Sequence, residues 1–120
     1  SEVLNLIGSV AGMSVVIVDD EIDTAGSITQ AAAVCLANGA AAVYASAIHP
    51  VLSGPAVERL AASSIREVVV TNSIALPASK RLPKLTVLSV GSLLGETIQR
   101  IHTGASVSAA YRARESVASG

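Results

Sequence analysis

Apolar positions along the chain follow two alternating rhythms. Val15–Val18 is a short unbroken β-branched run, the mark of a strand in a parallel sheet, buried on both faces. From Gly26 the spacing changes. Ile28, Ala31, Ala32 and Cys35 fall at helical intervals and predict one buried helix face, which Asn38-Gly39 closes as a left-handed cap. The cycle then repeats. Ala42–Ile48 reads as a strand and His49–Gly54 as a loop. Pro55 stands where a first helical turn tolerates it, ahead of a short helix with Ala56, Val57, Leu60 and Ala61 on its apolar face. Val68–Val70 is the next strand, and Asn72–Lys84, with its two prolines, the next loop. Leu85–Val90 is a further strand, and Leu94, Ile98 and Ile101 mark a helix ending near Gly104. The Ser/Ala-rich tail from Ala105 to Gly120 is weakly patterned, and its last residues are expected to be disordered. Val3–Ile7 is a candidate for one more strand, entering through a turn at Ala11-Gly12.

Strands alternating with helices predict an α/β fold with right-handed βαβ crossovers and a parallel sheet. Ligands of such sheets bind beyond the carboxyl ends of the strands. The segment after Val18 is therefore the first place to look for chemistry.

Composition narrows the classes. The 120 residues are 51% hydrophobic and 14% charged, a balance suited to a packed core and not to disorder. Small aliphatic residues dominate, with no Phe or Trp and two Tyr, so there is no aromatic platform for stacking bases. A net charge of −1 carries no basic stripe for a nucleic acid. The lone Cys35 excludes an internal disulfide and reads as a core thiol. No apolar run approaches the ~18 residues that span a bilayer, and Ser1–Gly8 lacks the layout of a signal peptide. A cytoplasmic location follows as the expectation.

Asp19-Asp20-Glu21-Ile22-Asp23-Thr24-Ala25-Gly26-Ser27 is the densest polar feature. Four acids in five residues repel one another unless something compensates. Adjacent carboxylates can accept hydrogen bonds from a cis-diol such as that of ribose. Thr24 to Ser27 are small or hydroxylated and stand where a helix begins. Free N–H groups there, with the helix dipole, suit a phosphate monoester, and Gly26 lets the backbone come close to it. Read on spacing alone, the segment allows three functions: a sugar-phosphate site, an ordinary helix cap on a solvated loop, or a metal site.

Val15-Val16-Ile17-Val18-Asp19-Asp20-Glu21-Ile22-Asp23-Thr24-Ala25-Gly26-Ser27 resembles the phosphoribosyl-binding motif of the type I phosphoribosyltransferase fold. His49 to Ala56 with Glu58-Arg59, Val70 to Ile74, Leu88 to Leu94, Ile98 to His102 and Gly104 to Ser108 resemble, in order, later segments of the ribose-phosphate pyrophosphokinases. That family transfers pyrophosphate from ATP to the 1-hydroxyl of ribose 5-phosphate with Mg2+. The resemblance implies that Asp19 and Asp20 lie at the ribose hydroxyls and that Asp23, Thr24, Ala25, Gly26 and Ser27 wrap the 5-phosphate. It implies a contact from Ser106 and Ser108 to a phosphate of an ADP or phosphate effector, and a homo-oligomer. Residues 1–104 would form the ribose-5-phosphate-binding domain and 105–120 a tail. Glu21, Ser27, Pro50 and Ile48 depart from the family pattern. Glu21 adds a negative charge beside an anionic sugar, and Ser27 keeps the hydroxyl of the usual threonine.

The resemblance also implies that the ATP site, the metal-binding residues and the mobile catalytic loop lie upstream. The 120 residues alone are expected to be inactive. Lys80, Arg81 and Lys84 fall in the proline-bearing loop, away from the acidic segment, and Arg59, Arg66 and Arg100 lie on or beside helices and read as solvated or surface-paired charges. His49 and His102 are read as structural. Two other functions compete: a phosphoribosyltransferase of the same fold, and a non-catalytic subunit that pairs with active ones.

Overall fold

The structure is a computed structural model that describes residues 5–118, without the side chains of 113, 114 and 116–118. The chain divides into two compact units, Ser1–Leu88 and Ser89–Gly120. In the first unit β1 (Ser14–Ile22), α1 (Gly26–Ala37), β2 (Ala42–Pro50), α2 (Ala56–Ala62), β3 (Val68–Thr71), a 3-10 turn (Ala78–Lys80) and β4 (Leu85–Leu88) follow in order. The second unit holds α3 (Gly91–Thr103) and α4 (Val107–Ala118). The boundary expected at residue 104 falls between these two helices.

The four strands pair in parallel in the order β1-β2-β3-β4. Right-handed crossovers between neighbouring parallel strands put successive helices on one face; α1 packs on β1 and β2 and beside α2, whose Ala56 and Leu60 enter the same core. Val43, Ala45, Val68 and Val70 from the strands meet Ile28, Ala32, Cys35, Ala56 and Leu60 from the helices in one core. Small side chains at Ala32, Ala45, Ala47 and Ala56 let the layers approach closely.

On the opposite face β1 is exposed, which corrects the expectation for that strand. Val16 and Val18 are 59% and 76% exposed, while Val15 and Ile17 are half-buried against the core. The run is β-branched throughout, but only alternate members are covered. Other differences are local. β2 continues through His49-Pro50, because a proline at the last position of a strand removes no ladder bond that matters. β4 stops at Leu88, and α3 begins at Gly91. Residues 107–118, read as a weakly patterned tail, are helical. Val3 and Leu4 lie outside the described residues, and Asn5–Ile7 form no strand.

The end of α1 behaves as its sequence indicates. Gly39 adopts φ 90°, and the N–H groups of Asn38, Gly39 and Ala40 close onto Val34, Leu36 and Cys35 carbonyls. Gly12 N–H donates to Gly39 O at 2.8 Å, tying the entry of β1 to this turn.

Candidate functional site

β1 carries the acids further than the sequence reading allowed. Asp19, Asp20 and Glu21 belong to the strand itself, with Asp19 paired to Ala47 and Glu21 to His49 of β2. They are therefore held by a ladder at the carboxyl edge of the sheet and do not sit in a free loop. Asp20 N–H donates to Asp19 Oδ1 at 2.8 Å, and Glu21 N–H to Asp20 Oδ1 at 2.9 Å. Both aspartates are exposed, and no described cation forms an ion pair with any of the four acids. A hydrogen bond with the Asp19 side chain, then the Glu21 N–H, hold the Asp20 carboxyl below its ordinary value of 3.8. The positive field of His49 adds to this.

Beyond Ile22 the chain turns sharply into α1. Asp19 through Ile28 line a single hollow of about 210 Å³. That is below the roughly 300–1,000 Å³ typical of drug-sized pockets and suits a small polar ligand. Ala25 is the residue before the helix. It is buried and takes a left-handed conformation, φ 61° and ψ 13°. Gly26, read as the residue that lets the backbone come close to phosphate, has a φ that is not positive.

No side chain caps α1, and no carboxylate stands in its first turn. Thr29 N–H makes the first helical bond, to Ala25 O at 3.3 Å. Among the described residues no acceptor takes up the N–H groups of Asp23, Thr24, Ala25, Gly26, Ser27 or Ile28. A helix start with such orphan donors and an uncompensated positive dipole end attracts an anion.

The loop is fastened from one side by the segment that follows β2. Leu52 N–H donates to Ile22 O at 2.9 Å and Ser53 N–H to Asp23 O at 3.0 Å. Ser53 Oγ donates to Asp23 Oδ1, so this carboxylate is engaged within the chain. Arg59 Nη1 donates to Thr24 O at 3.1 Å. Arg59, expected as a solvated or surface-paired charge, instead reaches this loop from α2. Lys80 and Lys84 are also fasteners. Lys80 Nζ donates to Val51 O at 3.0 Å, and Lys84 Nζ to Leu60 O and Ser63 O at 2.9 and 3.0 Å, closing the last turn of α2. His49 Nδ1 lies 2.8 Å from Ser73 Oγ, which itself donates to Ile48 O. His49 is thus a structural hydrogen-bonder. Pro50 is buried at the end of β2, and Ile48 is 50% exposed.

In the second unit Ser106 and Ser108 come together where α4 starts, their Oγ atoms 3.0 Å apart. Arg112 Nη2 lies 3.4 Å from Ser108 Oγ, and Arg100 Nη1 donates to Ser106 O at 2.9 Å. The two arginines were not anticipated there. Their offsets of six and four residues from the serines become neighbours only once α3 and α4 fold.

A parallel sheet, an acid pair at its carboxyl edge and a bare helix start define an α/β protein of the type I phosphoribosyltransferase kind. A phosphoribosylpyrophosphate synthetase from Mycobacterium smegmatis has the same fold, with TM-score 0.80 and 43% identity over 82% of this chain and 33% of its own. Residues 2–112 match the family described as phosphoribosyl synthetase-associated domain, and the chain belongs to that family. Relatives include proteins named ribose-phosphate pyrophosphokinase. The one from Synechococcus elongatus is 55% identical over 93% of this chain, and the one from Bacillus subtilis 54% over 90%. The chain spans 34% of the length of each. Among the described residues no helix is long and apolar enough to cross a membrane.

Proposed function

We propose that this chain is the ribose 5-phosphate-binding part of a ribose-phosphate pyrophosphokinase. The observation that carries the reading is the juxtaposition of a half-turn of unclaimed N–H groups with an exposed, unpaired carboxylate pair on one hollow. The amides of Asp23 to Ser27 hold the 5-phosphate. Asp19 and Asp20 accept hydrogen bonds from the vicinal hydroxyls at the other end of the sugar. The ionised state of Asp20 across the neutral range keeps it acceptor-only, as a diol requires.

The whole protein then transfers pyrophosphate from ATP to the 1-hydroxyl. Positioning and charge stabilisation dominate such a transfer, and this chain contributes the positioning of the acceptor. Mg2+ neutralises nucleotide phosphate charge when bound. No group of three or more metal-ligating side chains exists among the described residues. Asp19 and Asp20 fit the usual magnesium pattern of one or two carboxylates completed by phosphates and water. In the second unit, Ser106 and Ser108 with Arg112 bind a phosphate group of an effector such as ADP or inorganic phosphate, in a homo-oligomer.

The test is a titration of the 15N-labelled chain with ribose 5-phosphate. Millimolar ligand should protect the Asp19–Ser27 amides from exchange and shift their resonances. Absence of any change in that segment would defeat the reading.

A further inference from the structure

We infer that Arg59 is a positioning residue of the phosphate-binding loop, aiming its amides from behind; this rests on the sugar-phosphate reading above. In a trans peptide the C=O and the N–H of the same unit point in opposite directions. Three successive carbonyls, of Ile22, Asp23 and Thr24, are each held from the side of the 52–59 segment, by Leu52 N–H, Ser53 N–H and Arg59 Nη1. The partner groups of those peptide units are the N–H groups of Asp23, Thr24 and Ala25. They must therefore face away from that segment, and no described acceptor takes them up. Capturing the carbonyls sets the direction of the donors.

Arg59 holds the last of the three, where the chain is most in need of restraint. Ala25, which follows, sits in the left-handed region at φ 61°, a conformation that strains any residue with a Cβ. A free Thr24–Ala25 peptide could relax by flipping, which would turn Thr24 O toward the anion and Ala25 N–H away. The guanidinium opposes that flip. Its charge has no ion-pair partner among the described residues, so it also adds positive potential behind the loop. Gly26 makes room for it: a Cβ at this position would lie 3.3 Å from Arg59 Nη1. The glycine that the sequence offers as a close approach to phosphate thus has a second partner on its other side. Arg59 and Gly26 there border a separate groove of about 460 Å³, with Thr29 and Gln30 of α1 and Ser63 and Ser64 after α2.

The experiment compares the wild-type chain with Arg59→Ala and Arg59→Lys. In the free chain, 15N relaxation should give backbone order parameters for Thr24–Gly26 near the rigid value of ~0.85, falling below ~0.6 in Arg59→Ala. The amides of β2 and β3 should be unchanged. Ribose 5-phosphate should bind Arg59→Ala about tenfold more weakly, the scale of one charged hydrogen bond, and Arg59→Lys should recover part of both properties. Unchanged order in the Arg59→Ala loop overturns the inference. So does a loss of order throughout β2 and β3, because Arg59 would then be holding the fold and not the loop. Failure of the wild-type chain to bind the sugar phosphate defeats the functional reading instead, and the relaxation data still decide the role of Arg59.

Discussion

Replacing Gly26 by larger residues separates the contact behind the loop from the backbone itself. Its φ is not positive, so a side chain is not strained there by conformation. What a side chain meets is Arg59. The Cβ of Gly26→Ala would lie 3.3 Å from Arg59 Nη1 and 3.8 Å from Thr24 Oγ1. The first distance is tight, but a guanidinium tip can yield by a few tenths of an ångström. The 3.1 Å bond to Thr24 O would then lengthen toward the limit at which such bonds weaken. Alanine also raises helix propensity by up to about 1 kcal/mol. Gly26→Ala should therefore unfold no earlier than wild type and bind ribose 5-phosphate a few-fold more weakly.

Gly26→Val is harsher. A β-branched side chain crowds the 3.3 Å approach to Arg59 Nη1 further, and Arg59 is expected to leave Thr24 O. A hydrogen bond with a charged donor contributes about 1.5–3 kcal/mol, and exposure puts this one at the lower end. With about 1.4 kcal/mol per factor of ten, affinity should fall about tenfold or slightly more. The unfolding midpoint should move by only a few degrees, since ~1 kcal/mol is worth roughly 4 °C at this size. Titration by amide shifts and thermal melts by circular dichroism, on the same samples, read both quantities. A valine variant that binds as tightly as wild type would refute the reasoning. So would an alanine variant as impaired as valine, because the fault would then lie in the backbone and not in the displaced arginine.

Other expectations follow from the same contacts. Because the folded Asp20 carboxyl is held low, the stability that its ionised form contributes is present above the unfolded value and is lost only as pH falls through the lower folded value. A carbon-detected NMR titration should place its midpoint below 3.8, and a midpoint at or above that number contradicts the geometry. Leu60 is fully buried, so Leu60→Ala should destabilise by about 2–5 kcal/mol in urea unfolding; a loss under ~1 kcal/mol would mean that this core collapses freely. Lys84→Met removes two bonds to the end of α2 and should cost about 1–3 kcal/mol. An unchanged denaturation midpoint would show that water replaces the ammonium without loss.

The strands and helices of the first unit were legible because hydrophobic spacing is a local code. Val15–Val18, the Ile28–Cys35 face and Val68–Val70 each announce their element within a few residues. The boundaries were less so. Acidic residues have low strand propensity, so Asp19–Glu21 read as loop, although their ladder with Ala47 and His49 keeps them extended. Burial on both faces was overestimated for β1, because a β-branched run reports strand character and not what covers it. α4 was missed for the opposite reason. Ala, Arg and Glu favour helix intrinsically, but Val107–Ala118 lacks a strong apolar stripe, and a helix without one leaves little periodic signature.

The candidate site divides along the same line. Its front was readable: acids, then small residues, then a helix start, all contiguous. Its back was not, because the groups that shape it are distant in sequence. Ser53 reaches Asp23 across 30 residues and Arg59 reaches Thr24 across 35. No offset of 2 or 3.6 encodes such contacts. They arise because parallel pairing brings the end of β2 level with the end of β1, with Ile22 opposite Pro50. Whatever leaves β2 next must run beside whatever leaves β1. The register of two strands thus determines that Val51–Arg59 become the wall of the loop, and a basic residue on the short helix that follows reaches the loop through a single carbonyl, that of Thr24.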